Sequence, residues 1–405
     1  MRKFSLSTRI FAGIILGFLA GLIFGDAILF VRPVGDLFIK LLKMIIIPLI
    51  IASVIMGVAD IGDLRKLGRL GGKTILYYLT TTGIAVIIGI IMVNLLQPGV
   101  GVDLAFQESP DTQPPSLIDT LMGIVPANPF KAIVEMDMLP IIFFSILFGI
   151  VLTSLKEKAE PLIRFFDSLN AVMMKMTHWI METAPFGVFA LMAVVVADTG
   201  GEVIVDLAKY MATVLLGLLL HGILFLPLIL KLVGKGNALE FARDMSSALA
   251  TAFSTSSSSA TLPVTMESIE ENAGVDNTVS SFVLPLGATI NMDGTALYEA
   301  VAAIFIAQAY GIDLTFAEQF LIIITATLAA IGAAGIPSAG LITMIIVLNQ
   351  VNLPLEGIGL ITAVDRLLDM VRTTVNVWGD SVGARIIAHT EGAVHRIDRS
   401  PVSET

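Results

Sequence analysis

Apolar runs longer than a soluble core requires recur along this chain, and they limit what it can fold into. They cover residues 10–30, 34–61, 74–96, 139–155, 166–196 and 207–233, with short charged stretches between them. In hydrocarbon a backbone has to satisfy its own polar groups, so such runs read as helices, each needing ~20 apolar residues to cross. At that length the 405 residues hold roughly eight spans plus loops. The composition agrees: 56% of residues are hydrophobic and 14% charged, with a mean hydropathy of +0.89, against ~25% charged in a soluble domain. This excludes an ordinary soluble enzyme and a disordered chain. A net charge of −10 argues against a nucleic-acid partner. The absence of Cys excludes disulfides, thiol catalysis and cysteine metal sites.

Loop charges predict the topology. Arg2, Lys3 and Arg9 precede the first run, which is longer than a signal-peptide core and lacks a clean small-residue cleavage site. Lys and Arg in short loops stay inside, so the N-terminus is expected in the cytoplasm. Arg65, Lys66, Arg69 and Lys73, then Lys156, Lys158 and Arg164, then Lys231, Lys235 and Arg243 mark later returns. Arg385, Arg396 and Arg399 place the C-terminus inside as well. The stretch 98–130 has Asp103, Glu108, Asp111 and Asp119 and is rich in Pro, Ser and Thr, as befits an outside loop.

Beyond residue 240 the regularity breaks. Residues 246–256 form a short limb ending in a Ser-rich tip, Ser254 to Ser259, and residues 261–270 form a second that turns polar at Glu267, Glu270 and Glu271. Neither is long enough to span. A longer helix, 279–310, is interrupted at Asn291-Met292-Asp293-Gly294-Thr295, with unwound backbone expected around 287–295. The arrangement then recurs: limbs 320–331 and 341–351 flank the tip 332–340, and a final helix runs from 357 to 387. Two re-entrant hairpins, each followed by a polar-centred helix, make an inverted repeat, a pointer to a transporter site at the membrane midplane.

The final helix carries Asp365, Asp369, Arg372, Thr373, Asn376 and Asp380 at steps of 4, 3, 1, 3 and 4, which places them on one face. Each ionised group costs at least ~2.5–3.5 kcal/mol in a membrane helix, so the stripe is expected to bind something. The guanidinium of Arg372 suits a carboxylate, and Asp369 one turn away suits an ammonium. Asn376 and the backbone of the Ser-rich tip suit a second carboxylate. Together they describe an acidic α-amino acid. Asp380 and Asp293 remain, and with carbonyl, amide and hydroxyl oxygens they suit a hard cation, Na+ or its rival H+. Arg366 lies off the stripe and takes no role; His178 and His221, each alone in an apolar run, read as packed, hydrogen-bonded residues and not as proton relays.

These residues make the chain recognisable. It resembles the glutamate transporter family of dicarboxylate/amino acid:cation symporters over about residues 5–390. The likeness is carried by Ser256–Ser259 with Ala260-Thr261-Leu262-Pro263, by Asn291-Met292-Asp293-Gly294-Thr295, by Gly332-Ala333-Ala334-Gly335-Ile336-Pro337, and by Asp369-Met370-Val371-Arg372-Thr373-Thr374-Val375-Asn376. The resemblance implies an all-α polytopic fold of eight transmembrane helices plus two hairpins, assembled as a homotrimer in the cell membrane and working as an elevator. It divides the chain into scaffold helices (1–73), the third helix of the transport unit (74–97), the outside loop with two scaffold helices (98–203), the sixth helix (204–236), the transport core (237–390) and a cytoplasmic tail (391–405).

Carried over by the same resemblance, Arg372 clamps the side-chain carboxylate and Asp369 takes the amino group. Asn376 and Ser258 hold the α-carboxylate, Thr295 and Thr373 assist, and backbone at Ser256, Ile336 and Gly340 closes the site. One Na+ is implied at Asp380, Asn376, Asn291 and Gly287. A second is implied at the backbone of Met292, Ala330, Ile331 and Ala333 near Thr289, and a third at Tyr78, Thr81, Thr82, Asn291 and Asp293. Archaeal relatives carry an Arg where Ser256 stands, and animal relatives carry one where Met370 stands; this chain has neither. Glu299 stands where animal members have a Glu linked to proton cotransport, and burial in a bundle interior would favour its neutral form.

The expected function is Na+-driven symport of L-aspartate or L-glutamate, not an enzymatic reaction. The alternative is an H+-coupled glutamate or C4-dicarboxylate carrier. An intramembrane aspartyl protease built on Asp293 and Asp380 is disfavoured by Arg372, and a dedicated anion channel by the Asp-rich stripe.

Overall fold

The structure, a computed structural model, describes residues 6–59, 67–102, 122, 124–135, 137–199, 203–333 and 339–395. Most of the expected outside loop, Arg65, Lys66, Arg396 and Arg399, and the tip residues 334–338 lie outside them, Ile336 included. The described residues are almost wholly helical; the one β-bridge pairs Val275 with Val394.

The first half forms a bundle. Helix α1 (Leu6–Phe24) passes through a 3-10 turn into α2 (Arg32–Ala59). Helix α3 (Gly72–Leu96) follows, then the short α4 (Pro129–Glu135), α5 (Met138–Leu155) and the 40-residue α6 (Glu160–Thr199). Helix α1 packs along α6 through Gly13, Gly17 and Gly21, spaced one turn apart, where an added Cβ would strike the carbonyls of Pro185, Phe189 and Ala193. Small residues at this spacing let two membrane helices approach backbone to backbone. Helix α2 lies between α6 and α5.

The second half surrounds a buried centre. Helices α7 (Val203–Leu219) and α8 (Leu226–Leu232) are joined by a π-helical turn, Leu220–Phe225, and α9 (Ala238–Asp244) leads into the first hairpin. The hairpin limbs are α10 (Ser246–Thr255) and α11 (Ser258–Glu267). Helix α12 (Asn277–Ile290) and α13 (Asp293–Ala309) form the broken helix. The second hairpin consists of α14 (Phe316–Gly332), opened by a Thr315–Glu318 capping box, and α15 (Ala339–Gln350). Helix α16 (Ile358–Glu391) closes the chain. Helix α13 packs against α3, α14, α15 and α16, while α10 and α12 pack on α16.

Among the described residues, four helical stretches are long and apolar enough to cross a membrane: Ala12–Ala59, Arg69–Leu96, Val205–Leu232 and Asn277–Ala309. Helix α16 has 34 residues, about 51 Å at 1.5 Å per residue, yet is not among them because its polar stripe lowers its hydropathy. The stripe is buried: Asp365, Asp369, Arg372, Asn376 and Asp380 are each at most 5% exposed. Leu16, Ile23 and Phe24 on α1, Leu76 and Leu95 on α3, and Ile223 and Leu224 in the π turn are exposed. A charged stripe buried within the apolar core, together with large apolar side chains on the exterior, suits lipid.

Candidate binding site for an acidic solute and cations

Two irregularities in the backbone create the site. At the first hairpin tip, Ser256 takes a left-handed conformation (φ 51°) at the end of α10. Ser257 then caps α11, its hydroxyl accepting from the Ala260 N–H at 3.1 Å. At the broken helix the non-helical backbone is confined to Asn291, which is extended, and Met292. This is narrower than the expected 287–295: residues 287–290 are helical, and the Gly287 carbonyl accepts the Asn291 N–H at 2.9 Å. Helix α13 restarts at Asp293, whose carboxylate sits where the helix dipole favours negative charge.

A small cavity lies between these breaks. Ser256, Ser258, Thr295, Gly340, Asp369, Thr373 and Asn376 line it together with Met292, Ala333 and Ala339. Arg372 is fully buried beside it, its Cζ 3.8 Å from the Tyr298 ring centroid. Arg372 Nη2 donates to Asp365 Oδ1 at 2.9 Å and Asp369 Oδ1 at 2.8 Å, while Nε and Nη1 are buried without a hydrogen-bond partner. A Cβ on Gly340 would come within 3.0 Å of Nη1, so glycine there leaves the guanidinium room. Ser256 Oγ is likewise buried and unpartnered. Asn376 is held by the Gly294 N–H on its Oδ1 at 2.7 Å and by Thr295 Oγ1 at 3.2 Å.

Below the cavity lies a set of oxygen atoms. Asp293 Oδ1 accepts from Thr82 Oγ1 at 2.7 Å and Thr81 Oγ1 at 3.3 Å, and Asn291 Oδ1 is within 3.5 Å of both hydroxyls. Asp380 Oδ1 accepts from Asn291 Nδ2 at 2.9 Å and lies so near Gly287 that a Cβ there would strike it. Tyr78 OH donates to the Val283 carbonyl at 2.8 Å and also borders Gly287. The Thr289 hydroxyl donates to the Leu286 carbonyl of its own helix at 3.0 Å. Ala330, Ile331 and Ala333 form the end of α14, with the Ala333 N–H donating to the Ala330 carbonyl. Among the described residues, no three His, Cys, Asp or Glu side chains cluster as transition-metal ligands do.

Two residues gain partners that their sequence context hid, and Glu299 is placed against the second hairpin. His221 Nε2 is 2.9 Å from Asp293 Oδ2, both side chains fully buried, and its ring stacks on Phe225 within the π turn. It is packed and hydrogen-bonded, as its place in an apolar run suggests, with Asp293 as its partner, whereas His178 is mostly exposed near Glu182. Arg366 Nη1 donates to Asp369 Oδ2 at 3.2 Å. Glu299 is buried, with Oε1 accepting from the Thr343 hydroxyl on α15 and Oε2 unpartnered. Of the three glutamates at the hairpin base, Glu270 accepts from Asn277 and Ser280 instead of facing only solvent.

The likenesses of the chain follow the same geometry. A model of the sodium:dicarboxylate symporter family matches residues 6–390. A proton/sodium-glutamate symport protein of Geobacillus stearothermophilus is 40% identical, covering 97% of this chain and 96% of its own. A proton/glutamate-aspartate symporter of Escherichia coli is 38% identical over 98% and 94%. An excitatory amino acid transporter of Caenorhabditis elegans is 39% identical over 96% and 88%. With a buried guanidinium over a serine-lined cavity and carboxylates grouped beneath it, the chain belongs to the sodium:dicarboxylate symporter family.

Proposed function

We propose that the protein is a secondary active symporter that carries L-aspartate or L-glutamate into the cell together with Na+. The observation that carries this reading is Arg372: fully buried, with Nε and Nη1 lacking any partner beside a polar cavity. Leaving charged donors unsatisfied costs several kcal/mol, and a carboxylate is the group that removes the cost bidentately. Asp369 receives the amino group, and Ser258, Asn376, Thr295 and Thr373 hold the α-carboxylate, with backbone at Ser256, Gly340 and Ile336 completing the enclosure.

Na+ uses the oxygens of Asp380, Asn291 and Asn376 with the Gly287 carbonyl, and those of Asp293, Thr81 and Thr82 with Tyr78. A further Na+ uses the backbone of Met292, Ala330, Ile331 and Ala333 near Thr289. Bound Na+ offsets the Asp380 and Asp293 charges, so cation and anion assist each other's binding. This is coupling through a shared site, reciprocal by thermodynamic necessity.

The body comprising 74–97, 204–236 and 237–390 moves as an elevator against a scaffold of 1–73 and 98–203, in a homotrimer of eight-span protomers in the cell membrane with both termini cytoplasmic. The names of the relatives support the substrate and the ions. Glu299 favours added H+ coupling: a buried acid that bonds the outer hairpin through Thr343 can carry a proton as that hairpin moves. The test is L-aspartate binding to the purified protein, titrated with and without Na+. Binding that strengthens with Na+ supports the proposal; no binding of either acidic amino acid overturns it.

A further inference from the structure

Two neighbouring tyrosines on α3 reach two different helices. Tyr77 OH donates to the Gly379 carbonyl of α16 at 3.1 Å, and Tyr78 OH donates to the Val283 carbonyl of α12 at 2.8 Å. Both tyrosines are buried, and their rings meet edge to face with centroids 5.7 Å apart. Asp380 directly follows Gly379, and Gly287 lies one turn beyond Val283. The pair therefore bridges the two helices that supply proposed cation ligands, with one anchor near each ligand. The gap between those ligands is narrow: a Cβ on Gly287 would lie 2.4 Å from Asp380 Oδ1 and 2.6 Å from Tyr78 OH.

Two glycines on α16 make the Tyr77 contact possible. At Gly383 an added Cβ would strike Cε1 of the Tyr77 ring at 2.5 Å, so the ring rests against bare helix backbone. One turn earlier, a Cβ on Gly379 would come within 3.1 Å of both Asn291 Nδ2 and Asp293 Oδ2. Asn291 Nδ2 in turn donates to Asp380 Oδ1 at 2.9 Å. The same short stretch of α16 is thus touched by α3 and by the helix break. The Gly379 carbonyl cannot shift without carrying the Asp380 backbone with it, and a packed interior transmits such a shift instead of absorbing it.

We infer that Tyr77 is a positioning residue that determines cation specificity: its hydroxyl on the Gly379 carbonyl fixes the gap between Asp380 and Gly287, and so sets both the affinity for Na+ and the discrimination against the smaller Li+. This rests on the proposed reading of the Asp380 cation site. Tyr77 contributes no atom to that site and acts through Gly379. Selectivity among hard cations follows cavity size and flexibility. A gap held by a tether does not close onto Li+, and a gap freed from it does.

The experiment is the rise in melting temperature of the purified full-length protein, titrated with NaCl or LiCl alone while choline chloride holds the ionic strength constant. A cation that binds the folded state produces such a rise by mass action. Tyr77→Phe keeps the ring against Gly383 and loses only the hydroxyl. Its Na+ midpoint should rise about three- to tenfold and its ratio of Li+ to Na+ midpoints should fall at least about threefold, the range of one net hydrogen bond. Its L-aspartate affinity at saturating Na+ should be unchanged. Gly383→Ala, which displaces the ring, should shift the Na+ midpoint and the ratio in the same directions. A wild-type Na+ midpoint or a wild-type ratio in Tyr77→Phe overturns the inference, whether or not the melting temperature itself falls. Where that variant does not fold, the same result in Gly383→Ala overturns it. A wild-type protein that Na+ fails to stabilise instead removes the underlying cation reading, so the two failures are distinct.

Discussion

Arg372 Nη2 lies 2.8 Å from Asp369 Oδ1, one turn back on the same helix, with neither residue more than 5% exposed. The proposed clamp and the proposed amino-group acceptor are thus held together before any solute arrives. Arg372→Ala should abolish uptake of L-aspartate and L-glutamate, a loss of at least about 100-fold. Removing one partner of a buried pair costs ~3–5 kcal/mol, so protein yield should fall as well. Retained uptake of labelled L-aspartate by the variant would contradict the assignment.

His221 orients Asp293 by donating to Oδ2, which leaves Oδ1 to the Thr81 and Thr82 side. Outer partners of this kind typically set metal affinity by roughly 10–100-fold. His221→Leu should raise the Na+ concentration at half-maximal uptake by about that factor, while His221→Gln, which keeps a donor, should show a smaller shift. An unchanged Na+ dependence in His221→Leu would remove His221 from the cation site.

The α1–α6 contact depends on the lack of a Cβ at Gly17. Gly17→Val should destabilise by about 1–3 kcal/mol, the usual cost of overpacking. A drop in melting temperature with unchanged Na+ dependence of transport is the expected signature. An unaltered melting temperature would show that the two helices are free to separate.

The C-terminal strand of chain is clasped to the linker before α12. His395 N–H donates to the Gly274 carbonyl at 2.8 Å, Asp276 N–H donates to the Ala393 carbonyl at 3.0 Å, and His395 Nε2 meets Asp276 Oδ2 at 3.0 Å. The Thr278 side chain, then His395 and the Thr278 N–H, hold the Asp276 carboxyl down to about 2 from its ordinary 3.8. A depressed carboxyl stabilises the clasp above its ordinary value, and that contribution fades as pH falls from about 4 towards 2. Pepsin cleavage after residue 390 should therefore accelerate across this window, and Asp276→Asn should cleave fast at pH 4 already. Equal rates for variant and wild type at pH 4 would show that Asp276 plays no part.

Much of this architecture is legible in the sequence because the membrane imposes a strict length rule. The runs at 74–96 and 139–155 match α3 and α5 closely, and the interruptions at Ser256 and Asn291 lie where the chain leaves helical geometry. The stripe on α16 was readable because its members repeat at helical spacing within one segment. His221 was not, since its partner is 72 residues away and a histidine in an apolar run gives no sign of it. Arg366 falls just off the stripe's arc; only its three-residue spacing to Asp369 hints that a long side chain crosses back. The Tyr78 hydroxyl donates to the Val283 carbonyl, 205 residues away, a contact that the spacing of its motif does not reveal.

The most direct measurement is uptake of labelled L-aspartate into liposomes containing the purified protein, under an inward Na+ gradient and separately under an H+ gradient alone. The account predicts accumulation that requires Na+ and is steepened by an added H+ gradient through Glu299. Accumulation driven by H+ with no Na+ present would contradict the cation assignment of Asp293 and Asp380, and absence of uptake under both gradients would contradict the account as a whole.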